Sequence, residues 1–146
     1  MKRNILIFII FFVPIIFTSC IKDPPEAITD LIIKNNTKHS IHLKIFLSKN
    51  PLEYQINKLD SIEIKNNGGK GGKFLFWPFK TTDSVMVIFD NVHSIMHYKN
   101  ESSGASRSIL NLDNWEKLEE YKYYYKYEYK FNENDYNEAS QTTYNN

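Results

Sequence analysis

Four histidines, a glycine-lysine loop and a serine-rich loop contain the residue types in this sequence that could do chemistry. On strands, His39 and His42 face opposite ways. His93 and His97 share a face but sit about 13 Å apart at a rise of about 3.3 Å per residue. Neither pair can chelate, so no metal site and no cofactor are expected. Gly68-Gly69-Lys70-Gly71-Gly72-Lys73 falls one residue short of a phosphate-binding loop, and Phe74 stands where Ser or Thr would hold the magnesium. With no helix pattern following to supply an N-terminal dipole, a flexible turn is expected. Ser102-Ser103-Gly104-Ala105-Ser106 lacks the Gly-x-Ser-x-Gly spacing of a nucleophile elbow. The carboxylates are scattered singly, so no acid/base pair is legible. No catalytic residue, and no enzyme activity, is expected.

Binding groups are easier to nominate. Tyr123, Tyr125, Tyr127, Tyr129 and Phe131 alternate with Tyr124, Lys126, Glu128 and Lys130. Exposed, the five rings would make a platform for sugars or a protein partner; buried, they are the core face of the last strand. The opposite charged face wants water, which favours burial of the stripe and leaves Tyr124 facing out. Arg107 is the only arginine after residue 20 and lies in a long loop, where a local ion pair competes with a binding role. Trp77 and Trp115 are core plugs or ligand stackers, the first being favoured. Tyr124, Arg107, Trp115 and Trp77 are therefore the candidate ligand or partner contacts.

The elements that must position these groups are strands. Residues 28–34 precede the turn Asn35-Asn36-Thr37-Lys38. Ile41, Leu43, Ile45 and Leu47 alternate with His42, Lys44 and Ser48, the period of a half-buried strand. Ile62 and Ile64 begin another. Residues 74–79 are apolar on both faces, with Pro78 pushing them to an edge or strand end. Residues 85–89 read as a central strand and 95–98 as its hairpin partner. Asp113 with Glu116 suggests a short helix through Trp115 and Leu118. Residues 123–131 form the clearest strand, after which Asn132 caps one helical turn before a polar tail. With only three alanines and no sustained 3.6-residue period, the expected fold is all-β: a single antiparallel, immunoglobulin-like β-sandwich.

The chain has two unlike parts. Its 146 residues are 42% hydrophobic with net charge +1, but residues 1–19 hold a disproportionate share of the apolar side chains. Without Lys2 and Arg3 the remainder sits at −1, which argues against a nucleic-acid partner. Residues 5–17 are apolar apart from Pro14, too short a run for a bilayer-spanning helix of roughly 20 residues. A basic start, an apolar core and small residues are the parts of an export signal. Phe17-Thr18-Ser19-Cys20 resembles the lipobox of bacterial lipoproteins, with Phe where Leu is commoner. The resemblance implies cleavage before Cys20, a diacylglyceryl thioether on its sulfur and an acylated amine, palmitate being a typical chain. Two or more chains give a stable anchor at about 0.8 kcal/mol per buried CH₂. The single cysteine excludes an internal disulfide. Expected boundaries are a signal peptide at 1–19, the lipidated cysteine and a proline-stiffened tether at 20–27, the sandwich at 28–131, and a helical turn with tail at 132–146.

Ile32-Ile33-Lys34-Asn35-Asn36-Thr37, the segment from Asp83 to Asp90, Arg107-Ser108-Ile109-Leu110-Asn111 and Tyr127-Glu128-Tyr129-Lys130-Phe131 with Asp135-Tyr136 and Ala139 together resemble small uncharacterised Bacteroidetes-type lipoproteins. The resemblance implies a compact β domain on a lipid anchor and carries over no activity or binding residue. The expectation is a binding or interaction module anchored in the outer membrane, at its periplasmic face or on the cell surface, with a protein or glycan partner. The alternatives are an inhibitor or immunity-type protective lipoprotein and an accessory subunit of an outer-membrane assembly.

Overall fold

A computed structural model describes residues 25–69, 71–99 and 105–144. Alternating apolar side chains give eight strands: β1 (Ala27–Asn35), β2 (Ile41–Phe46), β3 (Leu52–Ile56), β4 (Ser61–Gly69), β5 (Ser84–Phe89), β6 (His93–Tyr98), β7 (Glu116–Tyr121) and β8 (Tyr124–Phe131). They form two four-stranded sheets, ordered β4-β1-β8-β7 and β3-β2-β5-β6. The sheets face each other as a β-sandwich. Leu31, Ile33, Ile64, Tyr129 and Phe131 from the first sheet meet Ile41, Leu43, Ile45, Val85, Val87 and Phe89 from the second in one core.

Two features of the expected topology are corrected. The sandwich is not wholly antiparallel: β1 and β8 run parallel, from Ile28 opposite Tyr124 to Asn35 opposite Phe131. The strand order also differs from the ABED and CFG sheets of an immunoglobulin domain, because the first and last strands are joined at the centre of one sheet. Alternation along a strand records which face is buried. It carries no information about partner or direction.

Three local readings change as well. Residues 74–76 are irregular and residues 77–81 form turns, with Lys80 N–H donating to Phe76 O (2.7 Å) and Thr81 N–H to Pro78 O (3.1 Å). These turns drive Phe76 and Phe79 into the core. The helix expected through Trp115 and Leu118 is a single 3₁₀ turn, Leu112–Asn114, capped by Asn111. Residues 116–121 are instead strand β7, recruited by pairing with β8, with Leu118 bulged outward. Its charged side chains blunt an open sheet edge. Finally, the helix after Asn132 is three turns long, α1 (Glu133–Tyr144), where one turn and a polar tail were expected. Asn132 caps it: its Oδ1 accepts from Asn134 N–H (2.9 Å), and Asp135 returns a bond to Asn132 N–H (2.7 Å). The helix packs along β6, and Ala139 is fully buried in the core.

The glycine-rich turn is fixed by packing. Gly72 has φ +71°, and a Cβ there would overlap the Tyr123 ring. At the opposite end of the sandwich, buried Asn35 joins two turns. Its amide donates to His39 O (2.7 Å) and Asn57 O (2.9 Å), while its Oδ1 accepts from Thr37 N–H (3.0 Å) and Thr37 Oγ1 (2.7 Å). Replacing Asn35 with Ala strands several buried polar groups and is expected to cost about 3 kcal/mol. Asn36→Ala, at an exposed neighbour, should cost less than about 0.5 kcal/mol. Urea unfolding of the two variants measures the difference.

Candidate functional site

The strand directions gather one set of side chains at the end of the sandwich where β1 begins. There the β2–β3 turn, residues 71–83, the exit of β6 and the β7–β8 hairpin converge. Trp77 sits in this region, half-buried, its carbonyl held by Asn66 Nδ2 (2.7 Å). With Leu47, Ser48, Lys49, Asn50 and Thr81 it lines an open hollow of about 380 Å³. Beside it, Phe46 and Tyr98 are exposed on the outer face of the second sheet, where Met86, Ile88 and Met96 are half-buried.

The outer face of the first sheet is a lattice of cross-strand pairs. Asp30 stands in register between Lys65 and Lys126, and Lys126 opposite Glu119. Lys126 reaches Glu119 (3.6 Å), while Lys130 binds Glu128 (2.8 Å) and Glu116 (2.5 Å), bonds that hold its ammonium charged well above the ordinary lysine range. Tyr124 lies on this face but is not free: its hydroxyl donates to Asp30 Oδ2 (2.8 Å). That bond to a carboxylate, followed by burial, pushes the phenol up to about 12. Asp30 is only 7% exposed, and its Oδ1 has no hydrogen-bond partner among the described residues. Tyr121, 67% exposed, stacks on Tyr124 with centroids 6.3 Å apart. Along the inner face of β8 the stripe is graded: Tyr129 and Phe131 are fully buried, whereas Tyr123, Tyr125 and Tyr127 are half-buried.

Arg107 and Trp115 lie elsewhere. The Arg107 guanidinium donates to Lys130 O (2.8 Å) and Asp135 Oδ2 (2.9 Å), tying the long loop to the first turn of α1. Burial raises the Asp135 carboxyl above its usual range despite this partner. Trp115 is a core residue; its indole donates to Ile109 O (2.9 Å) and meets Phe76, Phe79 and Tyr129. Tyr124, Trp77 and Trp115 therefore do not share a groove. Cys20 lies outside the described residues.

Two histidine environments were not legible in the sequence. His39 Nδ1 pairs with Asp90 Oδ2 (2.6 Å), Nε2 faces Glu133 Oε2 (3.7 Å), and the ring stacks on Tyr136 at 3.6 Å. The bond from His39, reinforced by Ser40 N–H, depresses Asp90 to about 2. The Ser40 hydroxyl donates to Asp90 Oδ1 (3.0 Å). The arrangement acts as a clasp between the β1–β2 turn, the β5–β6 turn and α1. His97 is buried in the core, its Nδ1 accepting from Ile109 N–H (3.1 Å). Burial pushes it down to about 4 from the ordinary 6.5, with Glu138 opposing and Arg107 reinforcing. Pairings across 50 residues carry no local signature.

The fold and its surfaces define a two-sheet sandwich braced by one helix. Among the described residues, no group of three or more His, Cys, Asp or Glu is placed to hold a metal ion, and no helix is long and apolar enough to cross a membrane. Compared with known protein families, curated proteins and solved structures, the chain has no match.

Two outcomes follow from the buried polar groups. Arg107→Ala leaves the buried Asp135 carboxylate with its Asn132 N–H bond but without its ion-pair partner and should cost about 2 kcal/mol, with faster amide exchange in α1 than in β2. His97 takes a proton near pH 6.5 when unfolded and near 4 when folded. Protons thus favour the unfolded chain between those values. The stability is complete above pH 6.5 and falls by about 3 kcal/mol as pH drops to 4, some 2 kcal/mol of it by about pH 5. Urea midpoints at pH 7 and 5 read this, and His97→Gln should flatten that part of the profile.

Proposed function

We propose that the protein is a cell-envelope lipoprotein, exported by residues 1–19 and anchored in the outer membrane by acyl chains on Cys20. It presents its sandwich as a non-catalytic binding or interaction module. The observation that carries the reading is Phe17-Thr18-Ser19-Cys20 at the end of the apolar run, followed by Pro24-Pro25 before the first strand. The exposed Phe46 and Tyr98, which flank Ser84, with Met86, Ile88 and Met96 further along the same face, support a protein partner in preference to a glycan. The same apolar face favours the second reading, an inhibitor or subunit that docks on another envelope protein.

Cys20→Ala tests the anchor. Wild-type protein is expected to fractionate with membranes and incorporate labelled palmitate, and the variant to do neither. Unchanged membrane association of the variant would overturn the reading.

A further inference from the structure

The end of the sandwich that gathers Trp77 is also its basic end. Lys49, Lys73, Lys80, Lys99 and Lys122 are all exposed in the loops and hairpin there, against exposed Glu26 and Asp83. At the far end, Lys38 and Lys58 stand against Asp60, Asp90 and Glu133. A lysine-rich composition sets how many lysines a chain carries, but it does not sort them to one end. The same end carries the exposed apolar side chains of Ile28 and Tyr121, with half-buried Trp77 and Tyr123 among the lysines. Lysines interleaved with Trp and Tyr are the chemistry of a bilayer interface: the charges meet lipid phosphates, and the amphipathic rings sit at headgroup depth.

The chain's own connectivity selects this partner. The segment from Cys20 to Ala27 reaches at most about 25 Å. It enters at this end, because β1 starts there and runs about 30 Å to the far end. From the lipid anchor of the proposed function, on which this inference rests, we infer that the β1-entry end of the sandwich docks on an anionic bilayer surface. Its lysines add an electrostatic contact to the acyl anchor and orient the sheets along the membrane normal. The far end, with Leu59 and Val92 exposed, then points away from the lipid.

The test uses the chain from residue 20 onward with Cys20→Ser, so that no lipid is attached. Its partition is measured by co-sedimentation with vesicles of phosphatidylcholine alone or with about a third phosphatidylglycerol. Binding is expected only to the anionic vesicles, weakening as salt rises from about 0.02 to about 0.5 M. A lysine near an anionic leaflet is worth roughly fivefold, so reversing Lys49, Lys73 and Lys80 to Glu should lower partition by more than about tenfold. Reversing Lys38 and Lys58 should change it by less than about threefold, circular dichroism confirming that both variants fold. Tyr121→Ala, which leaves the charge intact, should weaken binding and its depth as read by quenchers. Equal binding to neutral vesicles, no binding to either, or equal effects of the two reversals would each overturn the inference. The Cys20→Ala experiment in cells is independent of it, so either can fail alone.

Discussion

The parallel ladder between β1 and β8 closes the molecule. Eight consecutive residue pairs align the first strand with the last, at the centre of a sheet whose outer members, β4 and β7, each pair with only one of them. A parallel pair has no hairpin to hold it together, so its register rests on the side chains it buries. Leu31 opposite Tyr127 and Ile33 opposite Tyr129 serve that role from the inner face. The ladder spans almost the whole described chain, and α1 follows directly from the end of β8.

The polar groups divide the structure differently from the apolar ones. The core between the sheets is mostly hydrophobic, with His97 as a buried polar member, and the polar networks that join separate segments sit where the chain turns. Asn35 holds the far-end turns, while Asp135 with Arg107 holds the helix start. His39 with Asp90 joins turns to the helix. These networks satisfy backbone groups that no strand can reach. The candidate contact surfaces lie outside them, on the outer faces of both sheets and in the hollow beside Trp77.

Legibility followed the range of the interaction. Strands whose alternation is dictated by burial were visible in the sequence: Ile41-Leu43-Ile45, Val85-Val87-Phe89 and Tyr129-Phe131. Edge strand β3, Leu52-Glu53-Tyr54-Gln55-Ile56, is half-exposed and carries too weak an alternation to mark itself in the sequence. Strand β7 resembles a short helix in sequence because its pairing partner, rather than its own residues, makes it a strand. Asn132 was recognised as a cap, but helix length depends on what packs against it, and Ala139 reaches the core only because β6 is there. Tyr124 and Arg107 drew notice through residue type; their partners, Asp30 and Asp135, emerged only from the three-dimensional arrangement.

The central placement of β1 has a mechanical meaning. A tension entering through the residues before Pro25 acts along the axis of β1, which is hydrogen-bonded on both sides, to β4 and to β8. Such a load does not peel the strand one bond at a time, as it would at a sheet edge. It shears two ladders at once, so many bonds share the strain before any yields. A domain dragged by its leading strand is thus gripped along its strongest direction.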